Sequence, residues 1–351
     1  MIKEITSNVE VERNAPLNLK VEDKDKFTLS EELPLVISKP VELHKVMLVS
    51  NGIFFQNYQI SKLSYPFHPD NFIHHYVNLK FLLKQWIRLL FSKTVEFSGN
   101  SIIITDLFSS NYYHWFMETL PRLHNFKDSL DKNATVILPF NCYNKEYITE
   151  SLKIYGFKPY FIKHQFEKIK IRNCLFLPHI TLSGKVYKPL IQSQNRFILD
   201  HFTKNDKSNN NERIFITRKN AKFRTVLNED EFIPVLTKYH FKIVKMEDYS
   251  WVEQVQMVIN SKYIIAPHGA GLSNILFIRN EASILELFPV RLNNTINLCY
   301  FNLASALGHK YYYQLRSSQD KSGVKDGGDS NYIIDIAELE NNIIQMLNTQ
   351  I

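Results

Sequence analysis

The sequence predicts an α/β protein built in two halves, on three observations. Strand-like and helix-like patterns alternate along both halves, as βαβ units with parallel sheets require. A polar stretch, Lys204-Asn205-Asp206-Lys207-Ser208-Asn209-Asn210-Asn211-Glu212, interrupts the alternation and reads as a linker. A chain of 351 residues is also long for one hydrophobic core. The expected organisation is an irregular N-terminal arm (1–43), an N-terminal domain (44–205) and a C-terminal domain (206–351).

Composition narrows the classes. A hydrophobic content of 44% with 22% charged residues is that of a folded chain, not a disordered one. The formal charge of +7 suits nucleic acid, an anionic membrane surface or phosphorylated substrates. Without zinc-finger spacing or a long Lys/Arg block, nucleic acid ranks last and is not expected as a partner. The three cysteines, Cys142, Cys174 and Cys299, lie too far apart for a metal motif or a disulfide framework, which fits a reducing compartment. The first residues, MIKEITSNVEVERN, lack a signal-peptide layout and no run of eighteen apolar residues occurs. The expectation is a cytoplasmic protein with at most peripheral contact with the inner membrane.

Residues 1–43 mix short β-like pieces with Asn14, Pro16, Pro34 and Pro40 and read as an irregular arm or an edge hairpin. The first plausible strand is Lys45–Val49. From Pro69 to Phe91, Phe72, Ile73, Tyr76, Phe81, Leu83, Trp86, Ile87 and Leu90 interleave with Lys80, Lys84 and Arg88, cations four residues apart. On a helix they share one face. Such a basic amphipathic helix either rests on anionic lipid or is a surface helix whose polar face is solvated.

Ser101–Asp106 reads as a buried strand ending in an acid, and Asn111–Leu123 as a helix capped by Ser110 or Asn111. His114 and Glu118 stand at i and i+4, in mutual reach. A paired imidazole and carboxylate near a strand end serves general-base chemistry; a surface pair on a helix lined by core aromatics explains the same spacing. Expected elements then run Ala134–Leu138, Glu146–Tyr155, Tyr160–Ile162, Cys174–Leu177 and a helix over 188–202. In the second half they are strand Arg213–Thr217, a cationic loop Arg218–Arg224, a helix from Asn228, strand Phe241–Met246 and helix Trp251–Asn260. The last three are helix Thr295–Leu307, strand Lys310–Leu315 and helix Ile336–Leu347, with a Ser/Gly/Asp-rich loop, Ser317–Asn331, before the final helix.

The stretch Tyr263–Pro289 joins an apolar strand, the turn Pro267-His268-Gly269-Ala270-Gly271, a helix opening at Leu272-Ser273, and a second strand, Ser283–Phe288, carrying Glu286. Two glycines permit a tight turn and close ligand approach, and a helix N-terminus there suits a phosphate. The same turn also occurs as a plain strand-to-helix connection that binds nothing.

Three pieces, NYYHWFMETLPRL (111–123), ITRKNAKFRTVLNE (216–229) and Glu253–Pro289 with its His-Gly-Ala-Gly-Leu core, together resemble glycosyltransferase family 61 in order and approximate spacing over roughly residues 100–290. The first 95 residues and the last 50 match nothing comparable. The resemblance implies a GT-B-like fold, two Rossmann-like domains facing across a cleft, and inverting transfer without a bound metal or other cofactor. It implies that Arg218 and Arg224 pair with the donor phosphates and that His268, Gly269, Ala270 and Gly271 close that pocket. Glu286 would hold ribose hydroxyls, while Asn228, counted among the donor-binding residues, and Glu229 would instead orient the arginine loop. Glu118 would take the proton from the acceptor hydroxyl, with His114 positioning it or sharing the role.

The leading reading is a nucleotide-sugar-dependent, inverting, metal-independent glycosyltransferase. Its acceptor would be a saccharide, or a lipid-linked one, in bacterial capsule or surface polysaccharide synthesis. The alternative is a catalytically silent nucleotide-sugar-binding subunit of a polysaccharide assembly complex.

Overall fold

A computed structural model describes residues 6–36, 38–67, 77–203, 211–291, 293–320 and 330–349. Phe72, Ile73 and Tyr76, the linker residues 204–210 and loop residues 321–329 therefore lie outside the described residues. The chain divides into two compact units, one comprising Met1–Glu10 and Glu32–Leu190, the other Val11–Glu31 and Ile191–Ile351.

The first unit is built on an eight-stranded mixed sheet. Its strands are β3 (Val41–Val49), β4 (Phe54–Gln56), β5 (Gln59–Ile60), β6 (Lys93–Phe97), β7 (Ser101–Ile103), β8 (Thr135–Leu138), β9 (Lys158–Phe161) and β10 (Glu167–Phe176). A separate two-stranded sheet pairs β1 (Thr6–Glu12) with β2 (Ser30–Val36). The helices are α1 (Leu79–Phe91), α2 (Tyr112–His114), a π-helical turn at Trp115–Thr119, α3 (Leu120–Phe126) and α4 (Glu146–Ile154).

The long strand β10 organises this sheet. Its buried Ile169 and Ile171 alternate with exposed Lys170 and Arg172, the period-two pattern of a half-buried strand. One edge of β10 pairs antiparallel with β3. Its other edge pairs in parallel with β6 along its first half and with β7 at its end. The sheet continues in parallel through β7, β8 and β9. The core on this sheet includes Val46, Leu48, Phe54, Ile103, Ile137, Ile169, Ile171 and Phe176.

The second unit carries α5 (Lys188–Thr203), β11 (Glu212–Ile216), α6 (Glu229–Lys238), β12 (Lys242–Val244), α7 (Trp251–Ile259), β13 (Ser261–Pro267), a 3-10 helix (Ala270–Phe277), β14 (Ser283–Phe288), α8 (Cys299–Leu307), β15 (Lys310–Leu315) and α9 (Ile336–Asn348). Its sheet runs β12-β11-β13-β14-β15 with every pairing parallel. Counted from its own first strand, that is the order 2-1-3-4-5 of a doubly wound sheet. Its switch point lies between β11 and β13, and ligands of open α/β sheets bind outside the carboxyl ends there. All six residues of β14 are buried, as expected of a strand covered on both faces.

Several expectations need correction. The first sheet is mixed rather than parallel, because β10 begins at Glu167, well before the expected Cys174, and its cations mask the strand pattern. Within the expected arm, β1 pairs with β2, and Val21–Lys26 between them forms a 3-10 helix. Asn18 there donates to the Tyr313 carbonyl (2.7 Å) and accepts from its N–H (3.1 Å). That amide satisfies backbone groups of β15, the edge strand, which would otherwise offer a template for pairing.

Candidate active site

In the first unit the site grows from the carboxyl ends of β7 and β10. Past β7 the chain reaches Asp106, which is buried beside the fully buried Arg122 of α3. The Arg122 guanidinium pairs with Asp106 Oδ2 and donates to the carbonyls of Ile104 (2.9 Å) and Glu118 (3.1 Å). His179 Nε2 contacts the same Asp106 oxygen at 3.0 Å. Asp106 Oδ1 accepts from the Phe108 N–H (2.9 Å) and the Ser109 hydroxyl (3.1 Å). Burial would push the Asp106 carboxyl up, but Arg122 and His179 outweigh it and hold it well below the usual range. Burial and Arg122 likewise push His179 down, so it sits neutral and donates.

This cluster fixes the turn that carries His114 and Glu118. Pro121, at the start of α3, lacks an N–H and its ring crowds the carbonyl four residues back. The turn before it widens to a π-helix, a feature found frequently at functional sites. Trp115 Nε1 donates to Ser151 Oγ at 2.9 Å and pins the turn to α4.

Within the turn His114 Nδ1 meets Glu118 Oε2 at 2.8 Å. The other carboxylate oxygen accepts from the Ser183 hydroxyl (2.6 Å) and the Gly184 N–H (3.1 Å). Both oxygens are thus engaged, and the Glu118 side chain is 8% exposed against 25% for His114. The pair's open atom is His114 Nε2. Burial opposes charge on both groups. Their mutual attraction nevertheless prevails, with Glu118 held below its ordinary value and His114 above. Chemically this is an imidazole oriented by a carboxylate, able to take a proton at Nε2.

The second unit gathers its residues at the switch point. Arg218 follows β11, and His268 and Gly269 follow β13. Gly269 is extended (φ 168°), so its need for glycine is spatial. A Cβ there would come closer than 3.0 Å to Nη1, Cζ and Nε of Arg218, whose guanidinium lies against the turn. Arg218 donates to the Phe223 carbonyl at 3.0 Å, and burial and neighbouring Arg224 both push its pKa down. Arg224 sits at φ 60°, a left-handed conformation that costs a non-glycine residue about 1–3 kcal/mol and clusters at functional sites.

His268 is buried; its Nδ1 contacts Glu286, whose second oxygen accepts from the Tyr311 hydroxyl. Burial pushes His268 well down, and Arg224, Arg218 and Arg291 push the same way. Burial pushes Glu286 up, opposed by the Tyr311 hydrogen bond and Arg224. Burial thus disfavours charge on both members of the pair, and the local positive charge resides on the arginines. Gly269 precedes the 3-10 helix at Ala270, whose first N–H groups have no partner inside the helix. The arrangement suits a multiply charged anion.

Asn228 and Glu286 are both engaged by protein groups. Asn228 donates to the Ile334 carbonyl (2.9 Å) and accepts from its N–H (3.2 Å), clamping the arginine loop onto residues 332–334. Glu286, expected at ribose hydroxyls, is 0% exposed with both oxygens engaged by protein. Glu229 accepts from the Thr217 hydroxyl beside Arg218. Sequence reasoning missed His179, which tertiary structure brings to Asp106, and Ser183 and Gly184, which it brings to Glu118. It also missed Arg291, whose signal is a cation just beyond the carboxyl end of β14.

Comparison with known proteins fits this geometry. The family described as Glycosyltransferase 61 matches residues 112–285, a span holding His114, Glu118, Arg218, Arg224 and the His268–Gly271 turn. The EGF domain-specific O-linked N-acetylglucosamine transferase of Drosophila melanogaster is 34% identical over 137 residues, covering 36% of this chain and 26% of that protein. The mouse (Mus musculus) protein of the same name is 26% identical over 191 residues, 50% of this chain and 36% of the relative. That of Xenopus laevis is 31% identical over 139 residues, 36% and 26% respectively. The chain thus spans about a third or less of the length of these curated relatives. The match supports glycosyltransferase family 61 over residues 112–285.

Proposed function

We propose that the protein transfers a sugar from a nucleotide-sugar donor to a hydroxyl of a saccharide or protein acceptor. The observation that carries this reading is the Arg218 guanidinium lying against the Gly269 turn at the switch point of the second unit's sheet, where Arg218 follows β11 and His268 follows β13. A diphosphate there meets cations and unpaired helix N–H groups together. Those groups stabilise the negative charge that grows on the departing diphosphate, so the reaction as proposed requires no metal. A GT-B organisation, with the donor held by the second unit and the acceptor by the first, belongs to the same proposal.

In the transfer, the acceptor hydroxyl oxygen attacks the anomeric carbon, the bond from that carbon to the phosphate oxygen breaks, and the hydroxyl proton goes to His114 Nε2. Single displacement inverts the anomeric centre. Glu118 holds the imidazole by Nδ1 and stabilises the imidazolium that forms, while Ser183 and Gly184 hold Glu118. The relatives in the comparison are animal proteins and do not speak for a capsule or surface-polysaccharide role, so the acceptor is proposed only by class.

Incubating the protein with a panel of nucleotide sugars and acceptor hydroxyls, and following product by mass spectrometry, tests the reading. His114→Ala is expected to lower turnover at least about 100-fold, the usual worth of a general base, while donor affinity stays within about twofold. Full turnover in that variant would remove His114 from the chemistry. Nucleotide-sugar binding with no transfer to any acceptor would favour a silent binding subunit.

A further inference from the structure

Helix α1 of the first unit presents the reverse of an ordinary surface helix. Its inward face carries Gln85, 1% exposed, and Leu89, packed with Val49, Ile53, Phe55 and Tyr65. Its outward face carries Leu79, Leu83, Ile87, Leu90 and Phe91, each between 54% and 79% exposed, with Trp86 at 39%. Positions 79, 83, 86, 87 and 90 follow the spacing of a single helical stripe. An apolar stripe of this size on a surface marks an interaction site. The solvated-polar-face explanation of the sequence pattern therefore fails for this helix.

Charge identifies the occupant. Lys80, Lys84 and Arg88 run along one flank of the stripe, and α1 contains no acidic residue. Trp86, at the border of the stripe, is the kind of amphipathic ring found at membrane interfaces. The helix is held firmly at both ends. Asn78 caps it by accepting from the Phe81 N–H at 2.9 Å, and the buried Lys168 ammonium donates to the Leu89 carbonyl near its C-terminus. Phe166, whose carbonyl accepts from the Lys93 N–H at 2.9 Å, adds an exposed ring just beyond that end. Among the described residues no helix is long and apolar enough to cross a membrane.

We propose that α1 is an in-plane membrane anchor: its Leu79–Phe91 stripe enters the interface of an anionic bilayer while Lys80, Lys84 and Arg88 contact lipid phosphates. This combination of apolar stripe and basic flank defines interfacial helices. The inference stands independently of the transferase reading, since no residue in it touches the candidate site.

Co-sedimentation of the full chain with vesicles of phosphatidylglycerol and phosphatidylcholine, against phosphatidylcholine alone, tests it, with light scattering of the lipid-free protein in parallel. Binding is expected to the anionic vesicles only, falling at least about fivefold between about 0.1 and about 0.5 M salt as headgroup attraction is screened. Lys80→Glu with Lys84→Glu should abolish it, and so should Leu83→Asn with Leu90→Asn. All four positions are exposed, so melting temperatures should stay near wild type. Equal binding to both vesicles, or no binding to either, would overturn the proposal. A dimer in the lipid-free protein that Leu83→Asn with Leu90→Asn dissolves, without vesicle binding, would assign the face to a second copy of the chain.

Discussion

The guanidinium of Arg218 occupies the space where a side chain at Gly269 would begin. Sequence position separates the two residues widely, yet the parallel pairing of β11 with β13 sets their strand ends side by side. Glycine at 269 thus serves the placement of an arginine rather than an unusual backbone angle. Gly269→Ala should leave the melting temperature nearly unchanged, because the displaced group is the end of a flexible side chain. Donor affinity should fall about 10-fold or more, as when a charged hydrogen-bonding group is misplaced. Calorimetric titration with nucleoside diphosphates checks both points, and unchanged affinity would place Arg218 outside the donor site.

The His114–Glu118 pair makes a prediction about pH. His114 must be unprotonated to accept a proton, and Glu118 raises its pKa above the ordinary 6.5. Turnover at saturating acceptor should therefore rise with pH through a value above 6.5. Glu118→Gln removes the charge that favours imidazolium, so the acidic limb moves to lower pH while the plateau falls by about 100-fold or more. A flat loss at every pH, with the limb unmoved, would mean that the limb does not belong to the His114–Glu118 pair.

Asp106 and Arg122 support that pair from below. Removing one member of a buried ion pair costs about 3–5 kcal/mol, so Asp106→Asn should lower the melting temperature sharply. The Asp106 pKa is depressed, so its stabilisation is complete above the ordinary value of 3.8 and is lost as pH falls through the lower folded value. The gap in melting temperature between wild type and Asp106→Asn should stay constant from about pH 5 to about pH 8 and close only in strong acid. A gap that closes near neutrality would mean another group carries the charge.

Much of the second unit was legible because its signals are local. The apolar runs at Ser283–Phe288 and Lys310–Leu315 are buried strands whose bounds follow from the sequence alone. His114 and Glu118 could be paired from helical spacing. What escaped were juxtapositions made by topology. Ser183 and Gly184 reach Glu118 from the loop beyond β10, without any local pattern to announce them. The strand β10 escaped because Lys168, Lys170 and Arg172 break its apolar run. The sequence left two readings of α1 open for another reason: the hydrophobic period of a helix reveals that it has two faces but not which one turns inward.

In the proposed reading, the second unit's switch point binds a nucleotide sugar through Arg218. A thermal-shift screen against nucleoside diphosphates and nucleotide sugars, with and without EDTA, on wild type and Arg218→Ala, tests it most directly. Ligand binding to the native state stabilises it by about 2.7 kcal/mol at a hundredfold excess over the dissociation constant. The melting temperature should rise selectively with the donor nucleotide, the rise surviving EDTA and disappearing in Arg218→Ala. No shift with any nucleotide, or a shift of equal size in the variant, would contradict it.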